Sequence, residues 1–261
     1  MQAPFPPLPA LHHAISGPPD GAWLTFIPGI GNDAGFWQRQ AEALSDTFRV
    51  LTFDPWGHAN SPAPPVPCSF QRIQQGILQL WDTVGISRSH VVGLGFGGSV
   101  ALSLAIDAPQ RLHKVVACCC RPRQPDDRHD FWRQRILAAE ADFPALADAT
   151  VDRWLSPAFR ASHPDLDLEL RAMVKRTSPA GYRAYVEAFI EMDFERDVDR
   201  IKTPTLLVAA EHDHGGGPVA SMQALQQRIP GARLHVLTGS GHICNYERPM
   251  EVTQLVRGFL S

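Results

Sequence analysis

The sequence lacks any uninterrupted apolar stretch near the roughly 18 to 20 residues that a membrane-spanning helix needs. It also lacks a surplus of positive charge: 24 Lys and Arg stand against 27 Asp and Glu, for a net charge of -3. No basic stripe is therefore available for nucleic acid or for an anionic membrane. The CxxC spacing of metal and redox sites is missing as well. The five cysteines include the run Cys118-Cys119-Cys120, whose members cannot all pair with one another, so they are expected to be small buried hydrophobes. Residues 1–10 are rich in proline but have neither a basic start nor a long apolar run. The expectation is a loose terminus rather than a secretory leader, and with it a cytoplasmic location. No internal repeat is visible.

What is present is an alternation. Short β-branched apolar runs at 23–27, 50–53, 90–94, 114–118, 205–209 and 234–237 read as strands, and segments at 34–44, 70–84, 96–107, 219–228 and 250–260 carry their apolar residues at helical spacing. Strands that alternate with helices define an α/β protein with a doubly wound, mostly parallel sheet. One region breaks the pattern: 131–141, 145–154, 166–175 and 181–192 all read as helices with no strand between them. The sequence thus predicts a core formed by 1–120 and 201–261 and an inserted helical cap at 121–200. Pro204 marks the return to the sheet, since proline is tolerated at a strand's first residues.

The strongest local signal is Val91-Val92-Gly93-Leu94-Gly95-Phe96-Gly97-Gly98, an apolar strand, then small residues, then a helix. This is the pattern of a nucleophile elbow, in which the residues two before and two after the nucleophile must be small because strand and helix pack closely. Here those residues are Gly93 and Gly97, but the apex is Gly95, which carries no hydroxyl. A shifted register would make Ser99 the nucleophile in Gly97-Gly98-Ser99-Val100-Ala101, at the expense of three glycines in the strand. Otherwise Ser99 belongs to the first turn of the helix.

Asp213, after the strand at 205–209, and His242, in a glycine-rich turn after the strand at 234–237, follow in the chain order nucleophile, acid, histidine. A carboxylate beside an imidazole fixes its tautomer and stabilises its cation. Gly29, Ile30 and Gly31 form a turn at a strand end, so Ile30 N–H and Phe96 N–H are the expected oxyanion donors. His58, in another tight turn, reads as structural. His212, Asp213, His214 and His242 lack the fixed spacing of metal ligands, so neither a metal nor a cofactor is expected.

With these residues in place, the chain resembles the α/β-hydrolase superfamily over nearly its whole length, and within it the 3-oxoadipate enol-lactonases and related esterase-like enzymes. The residues that carry this likeness are Leu51-Thr52-Phe53-Asp54 with Gly57-His58, the bend from Gly93 to Gly98, Ala145 to Ala149 with Arg153-Trp154, and the run from Gly241 to Pro249. The resemblance implies hydrolysis of a small ester or lactone by a serine. It also implies a pocket bounded by Gly29, Trp154 and a cap arginine, Arg133, Arg135 or Arg153, of which Arg133 is the first choice for a substrate carboxylate. Gly95 in place of serine, with Trp56 and Ala59 in the Asp54 to Ala59 turn, departs from the family pattern. Three readings follow: a hydrolase whose covalent chemistry is weakened, an enzyme using His242 directly as general base, or a protein that only binds a small ester- or lactone-like ligand.

Overall fold

The computed structural model describes residues 8–261. The expected loose terminus therefore falls mostly outside the described residues. Leu8, Pro9 and Ala10 belong to both, and the carbonyls of Leu8 and Pro9 accept hydrogen bonds from Gln79 and Trp56.

Among the described residues seven strands form one sheet: β1 (His13–Ser16), β2 (Trp23–Ile27), β3 (Arg49–Phe53), β4 (Ser89–Leu94), β5 (Leu112–Cys118), β6 (Thr205–Ala210) and β7 (Arg233–Leu237). Their spatial order is β1-β3-β2-β4-β5-β6-β7. Only β1 runs antiparallel, against β3. Sequence reading finds six of the seven; β1 is short and largely exposed, so it has no apolar signature. Three helices join the first strands: α1 (Gln38–Leu44), α2 (Phe70–Val84) and α3 (Phe96–Asp107). The segment expected as one helix at 34–44 begins instead as a 3-10 turn, Ala34–Trp37, capped by the Asp33 side chain on Gly35 N–H. The Ser69 hydroxyl caps α2 at its start, and Gly85 ends that helix in the left-handed region at φ 79. Helix α3 is buried from Phe96 to Ile106, as expected of the helix packed directly on the central strands.

Between β5 and β6 the chain forms α4 (His129–Ala141), α5 (Phe143–Trp154), α6 (Pro157–Ser162), α7 (Pro164–Lys175) and α8 (Pro179–Glu191). Each of the last four opens with proline in its first turn, where the missing N–H removes no helical bond. The chain then regains the sheet at Pro204, whose carbonyl accepts from Val115 N–H at 2.9 Å. Helices α9 (Val219–Arg228), α10 (Cys244–Glu247) and α11 (Pro249–Leu260) complete the fold. Among the described residues no helix is long and apolar enough to cross a membrane.

The chain turns to one side of β2 to build β3 and to the other side to build β4. Such a reversal opens a crevice at the carboxyl ends of the two strands, where α/β sheets bind ligands. The loop after β2, the bend after β4 and the loops after β5, β6 and β7 all meet there.

Candidate active site

Gly95 is the apex of the bend between β4 and α3, with φ 59 and ψ -121. A side chain strains this backbone, whereas glycine adopts it freely. The bend is tight because strand and helix nearly touch: a Cβ on Gly93 would collide with the Gly97 carbonyl, and one on Gly97 with the carbonyl of Ile27. The Gly95 N–H donates to Cys118 O at 2.9 Å, which ties the apex to β5. A Cβ on Gly95 would lie 3.2 Å from His242 Nε2, so the imidazole stands where a side chain from this position points.

Ser99 lies in the first turn of α3, fully buried, and its hydroxyl donates to Arg121 O at 2.7 Å and to Gly95 O at 3.2 Å. It borders the same cavity as His242, but its hydroxyl is engaged by these carbonyls and no hydrogen bond joins it to the imidazole.

His242 Nδ1 lies 3.0 Å from Asp213 Oδ2. The carboxylate is buried and engaged on both oxygens: Oδ1 accepts from Gly215 N–H and Gly216 N–H at 3.0 and 2.8 Å, and Oδ2 from Gly217 N–H at 2.7 Å. Burial opposes the charged form of Asp213, but His242 and the glycine N–H groups outweigh it and hold the carboxyl well below its ordinary range. An ionised Asp213 requires the Nδ1 proton, which leaves the Nε2 lone pair facing Gly95. Gly216 packs so closely on the ring that a Cβ there would overlap Cε1 and Nδ1. Arg121 in turn holds this glycine run through the carbonyls of Gly215 and Gly216. The 215–217 run and Arg121 are missing from the sequence reading, and the three successive glycines beside an acid are the signal that marks them.

Ile30 sits in the loop after β2. The next residue, Gly31, donates its N–H to His58 Nε2 at 3.1 Å, while His58 Nδ1 donates to Trp56 O at 3.0 Å. His58 is fully buried, and burial drives its pKa down to about 4, so it is neutral and works as a brace for the loop after β2. Phe96 N–H is the first of α3 and has no acceptor inside that helix. Asn32 adds a donor that the sequence reading omits: it lines the cavity, is buried, and its Nδ2 has no protein acceptor.

The His58 pKa has a measurable consequence. The unfolded chain takes up a proton near pH 6.5 that the folded chain refuses until about 4, so stability falls as pH drops through that window. The loss is on the order of 3 kcal/mol over the full window and roughly 2 kcal/mol between pH 7 and 5. Denaturant unfolding at pH 7 and pH 5 is expected to show it, and His58→Gln, which keeps an acceptor and a donor, should show a correspondingly smaller drop. Equal pH dependence in the two proteins would remove His58 as the cause.

Gly29 and Trp154 border the cavity together with Gly95, Phe96 and His242. Arg133 does not: it is largely exposed and pairs with Asp130 at 2.9 Å, because it lies on the outer face of α4 while Trp132, Ile136 and Ala139 take the buried one. Arg135 donates to Tyr182 and Thr150. Of the three cap arginines Arg153 is the one that lines the cavity, alongside Arg121 from the loop after β5. Its guanidinium lies over the rings of Trp132 and Phe131, 5.4 and 5.6 Å from their centroids, and no hydrogen bond or ion pair joins it to another described residue. Surrounding protein, and then Arg135, push its pKa down to about 10, which leaves it charged near neutrality.

A sheet of this order, a glycine bend and an Asp–His pair at its carboxyl edge define an α/β hydrolase. The family described as alpha/beta hydrolase fold matches residues 22–249, and the chain belongs to it. The chain is similar to 3-oxoadipate enol-lactonase 1 of Acinetobacter baylyi, with 28% identity covering 94% of this chain and 91% of that protein. A Caulobacter protein (strain K31) provisionally named carbamate hydrolase RutD is 30% identical, with 96% of each chain covered. Among solved structures, the enol-lactonase from Burkholderia xenovorans LB400 matches with a TM-score of 0.91 at 32% identity over 96% of each chain.

Proposed function

We propose that this chain binds a small, carboxylate-bearing ester or lactone beneath a helical cap formed by 121–200, and hydrolyses it without a covalent intermediate. The observation that carries this reading is the Nε2 atom of His242, which faces a glycine hydrogen at residue 95 instead of a hydroxyl. A water molecule placed between that nitrogen and the substrate carbonyl loses its proton to His242 as it attacks. Asp213 stabilises the imidazolium so formed, and the N–H groups of Ile30 and Phe96 receive the developing oxyanion. The same imidazolium then protonates the leaving oxygen. With Gly95 in place of the nucleophile, turnover through this route is slow compared with that of a complete triad.

Arg153 supports the carboxylate assignment. A cation on the cavity wall with no protein anion as partner is matched by a ligand anion, and its planar fork suits a carboxylate. Arg153→Met is expected to weaken binding of carboxylate-bearing lactones by about 10- to 100-fold, the size of one charged hydrogen bond, and to leave neutral esters of the same shape nearly unaffected. Equal losses for both ligands would rule out the charge pairing.

The reaction class is tested with a fluorophosphonate probe and a series of small lactones. Slow hydrolysis that disappears in His242→Ala, with no probe attached to the unmodified protein, supports the reading. A probe adduct on any serine, or turnover that survives His242→Ala, rejects it.

A further inference from the structure

The hydrolytic scheme leaves a group of thiols behind the His242–Asp213 pair unused. Cys118, Cys119, Cys120 and Cys244 are all free and buried. Cys119 follows β5 with φ 49, a left-handed backbone seldom adopted by residues other than glycine. Its sulfur, a carboxylate oxygen of Asp213 and a ring nitrogen of His242 all lie within 4.8 Å of one another. Cys244, two residues past His242, is a further buried thiol in the same part of the fold. The sequence argues against a metal at His212, Asp213, His214 and His242. The fold agrees in part, because His212 and His214 are exposed, but it brings a sulfur from the end of β5 beside Asp213 and His242.

We propose that Cys119, Asp213 and His242 form a binding site for a soft divalent transition ion such as Zn²⁺. One sulfur, one nitrogen and one carboxylate oxygen are the donor types zinc takes, and three protein ligands leave a fourth position open. Calcium and magnesium prefer all-oxygen sets. The charges balance: a thiolate and a carboxylate neutralise the 2+ ion, and the imidazole enters uncharged, so no net charge is buried. Binding releases the Cys119 thiol proton to solvent, shifts the imidazole proton of His242 from Nδ1 to Nε2, and replaces the hydrogen bond between Asp213 and His242 with two bonds to the ion. Cys119 and His242 both border the cavity, which gives the ion its route in. Occupancy removes His242 from proton transfer, so the ion acts as an inhibitor of whatever chemistry that histidine performs.

The test reads metal occupancy and does not depend on the hydrolytic reading. Protein kept reduced with a phosphine and stripped with a chelator is titrated with Co²⁺. The expected result is a single equivalent bound, a thiolate-to-cobalt charge-transfer band in the near ultraviolet, and displacement by Zn²⁺. Cys119→Ser should abolish the band and weaken Zn²⁺ binding by more than about tenfold in competition with a chromophoric chelator. His242→Ala, which removes the nitrogen ligand, should weaken it likewise, and Cys68→Ser, in the loop before α2, should change neither reading. Failure of the unmodified protein to take up Co²⁺, or a band that survives both ligand substitutions, overturns the proposal.

Discussion

Gly95→Ser is expected to raise ester or lactone hydrolysis by at least about a thousandfold and to make the chain reactive toward a fluorophosphonate. Removing a triad serine lowers turnover by about a millionfold while the oxyanion donors and binding keep about a thousandfold over water. Here those remaining elements are assembled: the Nε2 lone pair faces residue 95, Asp213 holds the ring, and the first N–H of α3 adjoins the bend. Two obstacles set the size of the gain. A Cβ at residue 95 lies 3.2 Å from Nε2, so the ring must retreat by a few tenths of an ångström. A serine at φ 59 also carries backbone strain of about 1 to 3 kcal/mol. The variant should therefore be more active and less stable, with a burst of leaving group ahead of steady turnover. A folded, unlabelled and inactive variant would mean that the bend does not present its side chain to His242.

Asp213→Asn is expected to reduce any His242-dependent turnover by about ten-thousandfold, the loss seen when a triad aspartate becomes asparagine. The reason lies in how the carboxylate is used. Oδ1 faces two backbone donors, while Oδ2 faces one such donor and the Nδ1 proton of His242. An amide must place its NH₂ against donors on one side or the other. Turned toward the glycines, it leaves their N–H groups without acceptors in a buried site, at roughly 1 to 3 kcal/mol each. Turned toward His242, it reverses the tautomer and moves the ring proton to Nε2, where the base is needed. Replacing the carboxylate also removes a contribution to stability that is present above the ordinary carboxylate pKa and lost as pH falls through the depressed folded value. The variant should thus lose both turnover and part of the acid sensitivity of the wild type. Retained turnover would show that Asp213 does not set the tautomer.

The sheet was largely legible because buried parallel strands are continuous apolar runs and the helices between them keep a 3.6-residue period. The bend at Gly95 could be read from its spacing alone, since sterics permit few residues around a turn this tight. Asp213 and His242 could be placed because each follows a strand, and strand ends meet at one edge. Arg133 shows where such reading stops. Arg133 and Arg153 belong to α4 and α5, and only the rotation of each helix against its neighbours decides that Trp132 turns inward beside Arg153 while Arg133 turns out. Backbone roles are hidden for the same reason: three glycines after Asp213 mark a loop in the sequence, but their N–H groups converge on a carboxylate only once β6 and β7 have set the loop's ends.

The hydrogen at the head of the β4–α3 bend has a kinetic consequence. Under direct attack no acyl group is stored between two half-reactions, so an added alcohol or amine can enter only by standing in for the water beside His242. Any methyl ester or hydroxamate formed with methanol or hydroxylamine should therefore depend on His242 and appear without a burst, because substrate and nucleophile meet in one ternary event with no second substrate waiting its turn.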